Sequence, residues 1–147
     1  MQATVEALLK QKGSRVWTIS PEATVFDAIQ LMATRNIGSL VVMSGHRLEG
    51  VFTERDYTRK VALHGKSSKE TFVGDLLSHQ VHVATPQSTV EDCMRIMTEN
   101  RVRHLPVLDD DRLMGVVSIG DLVNWIITAQ SIEITQLHSY IAGQYPA

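Results

Sequence analysis

The sequence predicts an α/β protein built from two copies of one small unit, each a sheet packed with helices, related by a pseudo-twofold axis. Three observations carry this. The run Gly50-Val51-Phe52-Thr53-Glu54-Arg55-Asp56 returns 65 positions later as Gly115-Val116-Val117-Ser118-Ile119-Gly120-Asp121. Laid together without a gap, residues 18–57 and 83–122 agree at 12 of 40 positions, where chance gives roughly 2 or 3. Helical and strand spacings of apolar residues alternate in the same order in both copies. A unit of about 55 residues buries too little surface to stand alone. The two copies must therefore pack together, and matched clefts form between them.

Val5, Leu8 and Leu9 have helical spacing, which predicts a short helix over residues 1–10 that Gly13 ends. Residues 16–19 read as a strand closed by Ser20-Pro21. Thr24 caps a helix running to about Arg35, with Val25, Ala28, Ile29 and Met32 on one face. Asn36 and Gly38 end it. Strands follow at 40–43 and 48–53 around a Ser44-Gly45 turn, then a helix from Glu54 to about Leu63 and a polar loop over 64–69. The plan then restarts, with a short helix at 73–77 and a strand at 81–84. Thr89 caps a helix whose face is Val90, Cys93, Met94 and Met97. Strands at 105–108 and 113–118 flank an Asp109-Asp110-Asp111 turn. Residues 122–142 read as a long helix with Trp125, Ile126, Ile132, Leu137 and Ile141 apolar, a surface that needs a partner. The expected division is residues 1–72, 73–128 and a helical extension, 129–147.

Composition excludes several function classes. Apolar residues make up 44% and charged residues 20% of 147, with a net charge of −2. That balance gives no general affinity for nucleic acid or an anionic membrane, and 5% aromatic residues argue against a base-stacking surface. No apolar run approaches the length of a membrane span, and the first twelve residues lack the apolar block of a signal peptide. A single cysteine, Cys93, forbids an internal disulfide and suits a reducing compartment such as the cytoplasm.

The repeated motif has two readings. Thr53 to Asp56 and Ser118 to Asp121 suit a helix cap, with the carboxylate favoured by the helix dipole. A hydroxyl and a carboxylate at a strand-to-helix turn also form a small outward-facing polar clamp. The residues alone favour the cap and leave the clamp open.

Beyond the motif itself, Ser20-Pro21, Thr24-Val25-x-Asp27-Ala28 and Asn36-Ile37-Gly38-Ser39-Leu40-Val41-Val42 recur in kind as Thr85-Pro86 and Asn100-Arg101-Val102-Arg103-His104-Leu105-Pro106-Val107. With Val73-Gly74-Asp75-Leu76-Leu77-Ser78, this ordered set resembles the cystathionine-β-synthase (CBS) domain occurring twice, a CBS pair or Bateman module. It covers about residues 5–128. The run Thr53-Glu54-Arg55-Asp56-Tyr57-x-Arg59-Lys60, with Gly65-Lys66-Ser67-Ser68 after it, further resembles stand-alone CBS-pair proteins without a catalytic domain.

The resemblance implies a non-catalytic sensor that binds an adenosine ligand between the repeats. AMP, ADP or ATP is the first choice, NAD(H) the second and S-adenosylmethionine the third. It assigns the motif Asp to the ribose hydroxyls, which an ionised carboxylate can accept together. The first site then comprises Thr53, Arg55, Asp56, Ser78, Arg103 and His104. The second and weaker one comprises Ser14, Gly38, Ser39, Ser118 and Asp121, and lacks phosphate-binding cations because Ile119 and Gly120 replace Glu54 and Arg55. Arg59 and Lys60 are read as solvated helix residues. The resemblance also implies a homodimer, through the module helices and the C-terminal helix, that signals to a regulated partner protein.

Other signals fall short. Gly65-Lys66-Ser67 looks like the end of a phosphate loop, but Lys60 stands where that loop needs glycine. His79 and His82 sit at a strand entry rather than on a helix face, which does not make a zinc site. Cys93 and the methionines Met32, Met94 and Met97 belong to core faces. The three-aspartate turn lacks the other ligands of a calcium loop.

Overall fold

A computed structural model describes residues 3–78 and 80–141. His79 and the expected helix end at Ala142 lie outside the described residues, as do the side chains of Ile132 and Ile141. The element order is α1 (Val5–Lys12), β1 (Thr18–Ile19), α2 (Val25–Arg35), β2 (Ser39–Ser44), β3 (Arg47–Thr53) and α3 (Glu54–Asp56). A π-helical stretch, Tyr57–Ala62, continues α3, and a 3₁₀ turn spans Val73–Leu76. Then come α4 (Val90–Asn100), β4 (His104–Asp109), β5 (Arg112–Ser118) and α5 (Ile119–Ile141).

Local chemistry sets the boundaries. The hydroxyls of Thr4, Thr24 and Thr89 each accept a backbone N–H at their helix start. Gly13 ends α1 at φ +97°, and Asn36 ends α2 in the left-handed region. At the matching place Arg101 ends α4 with φ 54°, a conformation that strains an arginine. Asp110 and Asp111, both with positive φ, form the two-residue turn between β4 and β5.

The antiparallel pairs β2–β3 and β4–β5 share one register and one irregularity, at Val42/Met43 and Val107/Leu108. The repeats differ at the parallel edge. β1 pairs with β2 through Thr18↔Val41 and Ile19↔Val42, and Val41 N–H donates to the Trp17 carbonyl at 3.1 Å. The expected strand at 81–84 shrinks to one bridge, Ala84↔Val107. Pro106 is the cause: it stands where the first repeat has Val41 and has no N–H to give.

Two cores result, and they do not follow chain order. Val25, Ala28, Met32, Leu40, Val42, Phe52 and Val61 form one, together with Val73 and Leu76 from the linker. The other gathers Cys93, Met97, Leu105, Val107, Val117 and Leu122 with Val5, Leu8 and Leu9 of α1. The lead-in segments are thus exchanged. Val73 and Gly74 donate to Ala23 and Pro21 at 2.9 and 2.8 Å, and Val5 and Glu6 donate to Ser88 and Pro86 at 2.8 and 3.0 Å. These pairs place Val5 opposite Val73, a spacing of 68 rather than 65.

The exchange explains the leading glycine of each motif. A Cβ on Gly50 would lie 3.2 Å from Leu77, and one on Gly115 3.0 Å from Leu9. Both leucines belong to the exchanged lead-ins, so the motif begins where a side chain from the other lead-in presses on the strand. Gly74 is tighter still, because a Cβ there would meet the Pro21 carbonyl oxygen at 2.9 Å. Gly74→Ala is expected to destabilise the chain by about 1–3 kcal/mol, read as a lower midpoint in urea unfolding with an unchanged slope.

Candidate functional site

Each motif closes a strand and opens a helix. Thr53 Oγ1 accepts from the Asp56 N–H at 3.1 Å, and Asp56 Oδ2 accepts from the Thr53 N–H at 2.9 Å. Ser118 and Asp121 repeat this at 3.1 and 2.8 Å. Thr89 and Asp92 form the same reciprocal box at the start of α4, outside either cavity described below. Capping is therefore a real role of these aspartates and does not by itself indicate a ligand. The box occupies one of roughly four acceptor positions on a carboxylate, so a capping aspartate retains capacity for another partner.

A cavity of about 530 Å³ opens beside Asp56. Thr53, Arg55, Asp56, Ser78, Arg103 and His104 all line it. Thr53 to Asp56 come from the β3–α3 corner, Ser78 from the linker, and Arg103 and His104 from the entry to β4. Three segments separated in sequence therefore meet at one cavity.

The sequence reading missed further lining residues: Arg59, Lys60, Gln80, His82 and Arg101. Arg59 and Lys60 follow Asp56 by three and four positions, so they share its helical face; that spacing was the available signal. Lys60 Nζ lies 3.6 Å from Asp56 Oδ1 and donates to the Leu76 carbonyl at 2.9 Å. Five cationic side chains, Arg55, Arg59, Lys60, Arg101 and Arg103, thus face one carboxylate, Asp56. His82, weighed above for zinc, lines this cavity instead, and the described residues contain no group of three or more metal-ligating side chains.

His104 stands between the two motifs. Burial first, then the charge of Lys12, lowers its pKa from 6.5 against the opposing pull of Asp121 and Asp56. The imidazole is therefore neutral at pH 7, a hydrogen-bonding group rather than a sixth cation at the cavity.

The Asp121 side differs from expectation. Lys12 Nζ donates to Asp121 Oδ2 at 2.5 Å and to the Val116 carbonyl at 2.8 Å. A cation is therefore present, supplied by α1 and so invisible to a comparison of the repeats alone. The adjoining cavity is only about 260 Å³ and is lined by Asp121, Asn124, Trp125, Thr128, Leu8, Gln11 and Lys12. Ser14 and Ser39 line neither cavity, and Ser118 acts through its cap. Gly38 lies at the Asp56 cavity, since its carbonyl accepts from Glu54 N–H at 3.1 Å and it has no side chain to reach towards Asp121. Burial works to raise the Asp121 pKa, but hydrogen bonds from Lys12 and Ser118 outweigh it and the net direction is down. Cys93 is buried in the core as expected, with burial pushing its thiol up to about 11.

The family model of the CBS domain matches residues 13–63 and 73–128. The chain belongs to the CBS-domain family. It is 39% identical to the mitochondrial CBS domain-containing protein CBSX3 of Arabidopsis thaliana, over 97% of this chain and 73% of that one. A crystal structure of a CBS domain matches at 48% identity and a TM-score of 0.81, covering 86% of this chain and 99% of the other. A CBS-domain containing protein from Agrobacterium tumefaciens matches at 36% identity and a TM-score of 0.78, covering 83% and 98%. CBS pairs are regulatory modules that generally bind adenosine ligands, and stand-alone CBS-domain proteins are not enzymes. Among the described residues no helix is long and apolar enough to cross a membrane.

The depressed pKa of Asp121 fixes the sign of a pH effect. A carboxylate whose folded pKa lies below its unfolded value of 3.8 adds stability above that value and loses it as pH falls through the folded pKa. Asp121→Asn is expected to lower stability by about 1 kcal/mol at pH 7. The difference from wild type should shrink towards zero in unfolding titrations carried below pH 3.8.

Proposed function

We propose that the protein is a sensor that binds an adenine nucleotide, ADP or ATP before AMP, in the cavity beside Asp56. The observation that carries this is the convergence, around one cavity of about 530 Å³, of a capped carboxylate with spare acceptor capacity and five cationic side chains. Asp56 takes the ribose hydroxyls. Arg55, Arg59, Arg101 and Arg103 take the phosphates, where planar guanidinium groups suit phosphate oxygens. Thr53, Ser78 and neutral His104 supply uncharged hydrogen bonds. Retaining Arg101 in a strained conformation at the cavity wall supports a role for its charge.

The surplus of cations also suits the pyrophosphate of NAD(H), the second reading. It disfavours S-adenosylmethionine, whose sulfonium is positive. A ligand bridging the repeats biases their relative orientation only by binding one arrangement better than another, and a partner protein reads the result. Val123, Ile127, Ile134 and Leu137 of α5 are exposed apolar residues, and they support assembly as a homodimer through that helix. The single buried thiol suits a reducing aqueous compartment such as the cytoplasm. We keep residues 1–72 and 73–128 as the two sequence units and 129–147 as a C-terminal extension, described as helix as far as Ile141.

Calorimetry tests the site. Asp56→Ala removes charge-assisted hydrogen bonds worth about 1.5–3 kcal/mol each, so ATP affinity should fall roughly 10- to 100-fold. Unchanged affinity would remove Asp56 from the site. Arg103→Ala should weaken ATP more than adenosine, whereas equal losses would place Arg103 away from phosphate. A thermal-shift screen of ATP, ADP, AMP and NAD(H) should raise the unfolding temperature of wild type. No shift with any of them would favour a protein-interaction scaffold built on α5.

A further inference from the structure

The two motif aspartates are in different states. Among the described residues, the ion pair at Asp56 is the looser approach of Lys60 at 3.6 Å, from its own helical face, beside an open cavity. Asp121 is held by Lys12 at 2.5 Å, and the same amine reaches the Val116 carbonyl at 2.8 Å. Val116 is the counterpart of Val51, which lines the open cavity. Lys12 therefore bridges the carboxylate and the strand end that face solvent-filled space in the other repeat. The spacing of the exchanged lead-ins, Val5 to Val73 and Leu9 to Leu77, puts Gln80 opposite Lys12. Gln80 lines the open cavity, and its backbone N–H donates to Ser78 Oγ at 3.3 Å.

The space left around Asp121 is about 260 Å³, half that at Asp56. It opens towards Asn124, Trp125 and Thr128 of α5 and is bounded by Leu8 and Gln11 of α1. Lys12 is the last residue of α1, a helix anchored in the second core by Val5, Leu8 and Leu9. The backbone that carries Lys12 is thus fixed in place by the second core.

We infer that Lys12 is a built-in occupant of the second cleft, an autoinhibitory contact that keeps adenosine out of the Asp121 site. This rests on the reading that CBS clefts of this chain accept adenosine ligands. The ammonium satisfies the carboxylate that would otherwise hold ribose hydroxyls. The chain therefore binds one ligand where its duplicated sequence provides two motifs. Displacing α1, or neutralising Lys12, exposes the second site.

Equilibrium dialysis with radiolabelled adenosine at saturating concentration tests this. Lys12→Met keeps the length of the stem and removes the charge, so it should bind one more adenosine per chain than wild type. Lys12→Arg retains the contact and should match wild type. Adding Asp121→Asn to Lys12→Met should abolish the gain. Because Lys12→Met leaves Asp121 without its cation, thermal denaturation of the variant with and without adenosine serves as a second measurement. Its midpoint should rise on adding adenosine by more than that of wild type. Equal binding by Lys12→Met and wild type, with the variant folded by its cooperative transition, would overturn the inference. Zero binding by wild type would instead count against the Asp56 site, while the difference between the two proteins still decides the role of Lys12.

Discussion

The exchange of lead-in segments is the constraint on which the rest depends. α1 completes the core of the second repeat, and the Val73–Leu76 turn completes that of the first. Each lead-in makes its backbone hydrogen bonds to the Ser/Thr-Pro corner of the repeat it joins, at Pro86 and Pro21. Neither repeat closes its apolar face with the residues of its own stretch, which is why units of this size persist only as a pair. The leading glycines of the motifs follow from it, since Leu9 and Leu77 press where a Cβ would stand. So do the clefts: the segment that leaves each lead-in passes directly in front of a motif, Ser78 and Gln80 before Asp56, Lys12 before Asp121.

One carboxylate does two jobs in this architecture. As the third residue of a capping box it satisfies an N–H that would otherwise be left open at the helix start. Its remaining acceptor capacity is then held in a fixed direction, ready for a ligand hydroxyl or an ammonium. Thr89 and Asp92 show the box without a cleft, so the cap is the more general requirement of the local chain path. What separates a site from a cap is the surrounding charge. Among the described residues, five cations and an open cavity surround the box at Asp56, a lysine closes it at Asp121, and at Asp92 the ion pair is a loose surface contact with Arg95.

Much of this was legible in the sequence, because the duplication made each half a commentary on the other. The helices α2 and α4 and the hairpins fell where spacing and caps put them, and the six residues expected around Asp56 meet at one cavity. The failures have physical causes. The strand expected at 81–84 was read from its apolar residues, but strand pairing depends on the partner, and Pro106 could not donate. Arg59 and Lys60, read as solvated, are exposed and partly exposed, but they also line the cavity, because one sequence says which residues share a face but not what faces them. Lys12 escaped because comparison at a spacing of 65 stops at the repeat, whereas the lead-ins pair at 68 and cross between units. Gly38, which the family resemblance assigned to the Asp121 side, lines the Asp56 cavity instead.

The central claim is that an adenine nucleotide enters the seam beside Asp56 and leaves the Asp121 side untouched. Amide chemical shifts of the isotope-labelled protein, followed while ADP is added, address it residue by residue. Shifts are expected in Thr53 to Lys60, Ser78 to His82 and Arg101 to His104, with Ser118, Asp121 and Lys12 nearly unmoved. Shifts centred on Asp121 and α1, or none in the Thr53 to Lys60 segment at saturating ADP, would contradict it.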